Sequence, residues 1–285
     1  MPRWIIIRKG EGEFSVSLIA VFPCQKNMNI KIDTHSHSIA SGHAYSTIRE
    51  MVAMAERKGL EILAITEHAP GMPGSAHDYY FANARVLPRD YNQVFVLFGV
   101  ELNILDRNGS LDLHPAYIDE MDINIASLHP HVFEDEKSKE NYTNAYVNAM
   151  KNPAIHIIGH PDDSRSLPDL ETIVRVAKET DTLIEINNSS LMARSFRVGA
   201  RENIITILEL CKKYKTKVTT GSDAHVDVDV GNFQKIKEIF EVCNFPEELV
   251  VTTDVSKLIP YINPKIGKQL SNPFLSQAIG QLTSQ

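Results

Sequence analysis

The residues best suited to chemistry are histidines and carboxylates that recur at the ends of apolar runs. The first run, Ile30-Lys31-Ile32-Asp33-Thr34, leads into His35-Ser36-His37, with Gly42-His43 shortly after. Side chains at i and i+2 of an extended chain point to the same side, so His35 and His37 can reach one ion together. Ser41 and Gly42 break the pattern and put His43 in the following loop. The same placement recurs at His68, Glu101, His129, His160, Asp223 and His225, each at or just past the end of an apolar run. Imidazole and carboxylate donors without thiolate suit Zn²⁺ first, and Mn²⁺ or Fe²⁺ otherwise. Seven histidines and two carboxylates exceed what one four-coordinate ion needs, but they suffice for two or three ions with a bridging carboxylate.

These positions call for a scaffold that brings strand ends together. The chain alternates short apolar strands with helical patterns. Strands are expected at 30–32, 61–66, 94–101, 123–127, 154–158, 183–186 and 218–220. Helices are expected over 46–57, 137–150, 168–179, 202–214 and 233–242. Alternation of this kind implies a parallel sheet with right-handed crossovers, and most simply a distorted seven-stranded (β/α)7 TIM-like barrel. Functional residues of such barrels gather at the C-terminal ends of the strands. Asp106 to Gly109 reads as a hairpin turn.

Composition narrows the function classes. The chain has 285 residues, 43% hydrophobic and 23% charged, with a formal net charge of −7. That is ordinary for a globular protein, and it disfavours nucleic acid as a partner, although a local basic groove remains compatible with it. No stretch predicts a membrane span. Cys24, Cys211 and Cys243 are widely spaced and suggest neither a disulfide framework nor a thiolate metal site. Cys211 and Cys243 fall in helical patterns as core thiols, and a reducing cytoplasmic setting fits best. Met28 opens a clean strand, so 1–28 reads as an N-terminal extension from a mis-assigned start, 29–262 as the domain, and 263–285 as a tail. Leu270, Phe274, Leu275, Ile279 and Leu282 are the tail's docking residues. Oligomeric state is not legible.

The ordered segments Asp33-Thr34-His35-Ser36-His37, Thr66-Glu67-His68, Glu101, Ser127-Leu128-His129, Gly159-His160-Pro161 and Ser222-Asp223-Ala224-His225 resemble the motifs of the PHP (polymerase and histidinol phosphatase) superfamily. The resemblance covers about 29–262 and is closest to the bacterial stand-alone phosphatases, which are distorted barrels holding three metal ions. It implies that His35, His37, Glu101 and Asp223 hold one ion, that Glu101, His129 and His160 hold a second with Glu101 bridging, and that His43, His68 and His225 hold a third. It also implies hydrolysis of a small phosphorylated substrate by a metal-activated water, with no protein nucleophile. No Gly-x-Ser-x-Gly elbow is present to supply one. A phosphodiesterase or nuclease, and more narrowly a histidinol-phosphate phosphatase, are alternatives. A non-catalytic metal-binding module is disfavoured because no ligand position is missing.

Other residues carry weaker expectations. Asp33, two before His35, is placed to hydrogen-bond an imidazole. Asn187, Arg194 and Arg197 are the expected substrate contacts, with Asn188, Ser189 and Arg165 nearby. His131 reads as a substrate-side or surface residue. His77, His114 and His156 read as structural or surface histidines, and Glu67 points away from His68. The loops 70–78 and 189–199 would set specificity.

Overall fold

A computed structural model describes residues 3–6, 18–21, 28–91 and 93–271. β1 (Arg3–Ile6) and β2 (Leu18–Val21) pair antiparallel. The barrel strands are β3 (Ile32–Asp33), β4 (Ile62–His68), β6 (Val94–Asn103), β7 (Asn124–Ser127), β8 (Ile157–Gly159), β9 (Leu183–Asn187) and β10 (Val218–Gly221). They run parallel in the order β10-β9-β8-β7-β6-β4-β3, while β5 (Asp90–Tyr91) pairs antiparallel on β6. The Thr34 N–H reaches Thr220 O at 3.3 Å and the Asp223 N–H reaches His35 O at 2.8 Å, which nearly closes the barrel. The expected seven-stranded barrel is therefore the observed fold. Other expectations fall on residues outside those described, namely most of 1–28, Cys24, and the tail residues Phe274, Leu275, Ile279 and Leu282.

Strands β4 and β6 are apolar on both faces over most of their length because helices cover them outside and a second core fills the barrel inside. Alternation sorts the side chains. Ile62 and Ala64 of β4 and Phe95 and Leu97 of β6 belong to the inner cluster, whereas Leu63, Ile65, Val96 and Phe98 pack under the helices. The inner cluster is floored by Val251, Leu258, Tyr261, Ile266 and Leu270 from the C-terminal segment. Following the same parity upward, the inward positions become Thr66 and His68 on β4, Gly99, Glu101 and Asn103 on β6, and Glu185 and Asn187 on β9. The apolar floor thus gives way to a polar rim at the C-terminal ends of the strands.

The helices begin where local chemistry caps them. Thr47 and Glu50 form a capping box before Ile48–Arg57, with Gly59 in the left-handed region just after it. Ser138 and Asp169 cap Lys139–Ala149 and Leu170–Thr180. The Asp106–Gly109 turn closes with Gly109 N–H on Asp106 O at 3.1 Å. Cys211 and Cys243 are buried, as expected. No helix among the described residues is long and apolar enough to cross a membrane.

The expected structural histidines are bonded to backbone. The ring Nδ1 atoms of His77 and His114 accept the N–H two residues ahead, capping short helices. His156 Nδ1 accepts the Asn124 N–H at 2.9 Å, so this ring must stay neutral. Burial pushes its pKa down to about 4, against about 6.5 in an unfolded chain. Between those values the unfolded state binds the extra proton, so this contribution to stability is present near neutrality and is lost as pH falls from about 6.5 towards 4. Thermal unfolding followed from pH 7 down to 4.5 should show a shallower acid limb in His156→Gln than in the wild type. Parallel acid limbs would rule this assignment out.

Candidate metal centre

His35 and His37 lie just past β3, where Ser36 bridges Ala224 of the loop after β10 while still accepting the Thr66 N–H of β4 at 2.8 Å. Their Nε2 atoms face each other at 3.0 Å. His68 and Glu101 are register partners on β4 and β6, with His68 Nδ1 2.7 Å from Glu101 Oε2. His160 Nε2 lies 2.8 Å from Glu101 Oε1, and His129 Nε2 lies 3.5 Å from the same oxygen. Asp223 Oδ1 lies 3.4 Å from His37 Nε2. His43 and His225 face each other through Nε2 atoms 3.1 Å apart. The other eight residues singled out in the sequence thus gather on the Glu101 side of the barrel rim.

The outward nitrogens of four of these histidines are spoken for. His35 Nδ1 donates to Glu185 Oε1 at 2.7 Å, His129 Nδ1 to Asn103 Oδ1 at 2.7 Å, and His225 Nδ1 to Asp223 O at 3.0 Å. His37 Nδ1 faces Ser41 Oγ at 3.2 Å. These bonds fix tautomers so that the Nε2 lone pairs point inward, as second-layer partners of metal-ligating histidines do. Glu67, on the opposite face of β4 as expected, accepts from the hydroxyls of Ser38 and Ser41, and Ser41 Oγ also accepts the His68 N–H. One buried carboxylate therefore sets the loop that carries His43 and braces His37.

The donors fit divalent cations. Glu101 Oε2 and His68 Nδ1 are fully buried and close, yet neither has a hydrogen-bond partner. Buried polar atoms without partners are costly unless something else satisfies them. Three groups of donors converge, namely His35/His37/Glu101, His68/Glu101/His129 and His37/His68/His225. Bonds of about 2.0–2.1 Å in a tetrahedron place donors roughly 3.3 Å apart, and the contacts above bracket that spacing. Burial lowers the pKa values of His37 and His129, which favours neutral rings. Burial raises those of Glu101 and Asp223, but surrounding histidines, and Arg197 beside Asp223, outweigh it and hold both carboxylates well below the usual range. For His35 burial opposes protonation, yet Glu185, Glu101 and Asp223 hold its pKa well above the ordinary value, so a cation bound there would displace a proton.

Backbone geometry serves the same cluster. His160 and Asp223 have φ values of 27° and 54°, unusual for residues with a Cβ. The His160 N–H is held by Glu185 Oε2 at 2.9 Å and the Asp223 N–H by His35 O. A Cβ on Gly221 would sit 2.2 Å from Glu185 Oε1, and one on Gly42 2.0 Å from Gly74 O, so both positions need glycine for close approach.

Asp33 departs from expectation, and the polar residues expected at the substrate side are engaged within the chain. Asp33 bonds no imidazole. Its carboxylate accepts the N–H groups of Ser222 at 2.9 Å, Gly231 at 2.9 Å and His35 at 3.4 Å, tying the β10 loop to β3. Asp33 registers with Leu63, which packs under the helices, so it lies on the outer side of the strand and its nearest donors are backbone. The Arg197 side chain is 6% exposed, and it donates to Asp223 Oδ2, Asn187 Oδ1 and Ser190 Oγ. Asn187 Nδ2 also donates to Asp223 Oδ2, at 3.2 Å. Arg194 pairs with Asp229 on the cleft wall, and Asn188 accepts the Lys235 and Ile236 N–H groups at a helix start. Sequence reasoning missed Glu185 and Asn103. A glutamate inside the apolar run Leu183-Ile184-Glu185-Ile186 was the available signal, since burying it demands a partner.

The sequence matches the model of the PHP domain over residues 33–191. It is 44% identical over 238 residues to a probable phosphatase of Thermoanaerobacter sp. strain X514, spanning 84% of this chain and 96% of the relative. A probable phosphatase of Clostridium novyi strain NT is 43% identical over the same share of this chain and 96% of its own. Among solved structures, histidinol phosphate phosphatase of Lactococcus lactis, complexed with zinc, L-histidinol and phosphate, superposes with a TM-score of 0.53 at 20% identity. The superposition covers 76% of this chain and 94% of that one, and shows a shared fold.

Proposed function

Since the chain belongs to the PHP domain family, we propose that it is a metal-dependent phosphatase that hydrolyses monoesters of small phosphorylated molecules. The observation that carries this reading is the meeting of seven histidines with Glu101 and Asp223, six of these nine falling in three convergent donor groups, with buried donor atoms left unpartnered. The relatives named as probable phosphatases support the same reaction class.

We assign His35, His37, Glu101 and Asp223 to one ion, Glu101, His129 and His160 to a second, and His43, His68 and His225 to a third, with Zn²⁺ favoured over Mn²⁺ and Fe²⁺. Such ions supply positive charge that lowers the pKa of water and offsets charge on phosphoryl oxygens. The protein's part is preorganisation. Glu185, Asn103 and Ser41 hold the rings so that no reorientation is needed during reaction. Arg197 stays charged beside Asp223 and keeps it ionised. Residues 29–262 constitute the domain assigned to this chemistry, in a cytoplasmic setting.

Small substrates are favoured over nucleic acid because the chain is acidic overall. The test is turnover of an aryl phosphate monoester, a bis-ester, L-histidinol phosphate and short oligonucleotides. Chelated protein restored with Zn²⁺, Mn²⁺ or Mg²⁺ would be used, with metal content measured alongside. The monoester should be cleaved fastest of the aryl pair. Faster cleavage of oligonucleotides would overturn the monoester reading, and no hydrolysis with any metal would overturn the enzymatic one.

A further inference from the structure

The cleft above Glu101 has a volume of about 740 Å³, well within the roughly 300–1,000 Å³ range of small-molecule sites. A phosphoryl group at the histidines fills a small part of it, so the remainder meets the leaving group. Two features of its walls are not used by the metal centre.

The first is a pair of cations beside His131. Lys137 is exposed in the cleft and makes no hydrogen bond or ion pair among the described residues. Arg165 is fixed by Asp163 through Nε, at 2.9 Å to Oδ2, and Nη2, at 2.5 Å. Its Nη1 makes no hydrogen bond among the described residues, so the fork is held rigid with two donors to spare. His131, Lys137 and Arg165 all line this one cleft. The His131 ring lies 6.1 Å from that of His129. Arg197 sits over the Phe196 ring at 5.4 Å, as Arg165 does at 5.1 Å, but Arg197 is already paired with Asp223 and Arg194 with Asp229. The second feature is aromatic. Phe196 is 68% exposed and Tyr45 79%, and both line the cleft. Exposed rings in a concave site are covered when an apolar or planar body enters.

Building on the monoester reading above, we propose that the preferred substrates carry a second anionic group, phosphate or carboxylate, separated from the scissile phosphate by an apolar or planar body. The second anion lies on Lys137 and Nη1 of Arg165, and the body lies against Phe196 and Tyr45. The subsite sets specificity and takes no part in bond cleavage.

The test compares Lys137→Ala and Arg165→Ala with wild type on three aryl monoesters. These are 4-methylphenyl phosphate, 4-(carboxymethyl)phenyl phosphate and 1,4-phenylene bisphosphate. Each ratio of variant to wild type is taken on one substrate, so differences in intrinsic reactivity cancel. On the anion-bearing esters kcat/KM should fall by about tenfold, mostly through KM, and by several-fold more than on the methyl ester. The excess should shrink with added salt. The carboxylate and bisphosphate arms tell which anion the subsite prefers. Equal losses on all three esters, or no loss on any, would overturn the second-anion subsite while leaving the phosphatase reading intact. Failure of the wild type to turn over any ester would overturn both.

Discussion

Glu101→Gln should lower phosphomonoester hydrolysis by at least ~100-fold, the scale of removing charge stabilisation worth a few kcal/mol at a reacting centre. It should also reduce the number of ions the protein holds. Glu101 is fully buried, and its two oxygens face different neighbours, Oε1 towards His129 and His160, Oε2 towards His68, His35 and His37. No other side chain in the cluster touches so many candidate ligands. Cations held close together repel, and a carboxylate between them offsets that repulsion where a neutral amide of the same shape does not. Elemental analysis and rates at saturating substrate would be measured on the same preparations, with circular dichroism to check folding. His77→Ala serves as the control, because that ring is exposed and only caps a short helix. Wild-type stoichiometry and rate in Glu101→Gln would remove the bridging assignment.

Glu185→Gln should cost about 10- to 100-fold in metal affinity or turnover, the usual penalty for losing a partner behind a metal ligand. Glu185 is buried and accepts twice, from His35 Nδ1 at 2.7 Å and from the His160 N–H at 2.9 Å. An amide has one oxygen, so one of those two donors would face an NH₂ group. The choice matters because His160 holds a φ of 27°, a conformation that its backbone bond helps to fix. The substitution also removes a negative charge that keeps the His35 ring oriented. Metal affinity measured by competition with a chelator should weaken even where saturating metal restores much of the rate. Affinity and rate both at the wild-type level would show that Glu185 merely fills space.

Much of the site was legible because its signals are local. The period of two along a strand places His68 and Glu101 on the inner face and Glu67 on the other. The run of strand-then-helix units brings their C-terminal ends to one rim. From these rules alone, residues as far apart as His35 and His225 could be gathered into one cluster. The structural roles of His77, His114 and His156 followed from the same reasoning, since none of them closes a strand on that rim.

Asp33, Arg197 and Asn187 were read from the strands or loops they sit on, and the strand's parity did not carry past its end from Asp33 to His35. What parity does not give is the partner. Asp33 finds backbone N–H groups of a loop 189 residues away, and Arg197 finds Asp223. Glu185 carried its signal openly, as an ionisable residue inside an apolar run, but its meaning depended on His35, 150 residues distant in the chain. The sequence by itself determined which side chains face the barrel's interior and at what height, because backbone geometry dictates alternation. Only the tertiary structure decided which donor each carboxylate and guanidinium answers, because a buried charge is settled by whichever partner barrel closure brings within hydrogen-bonding distance.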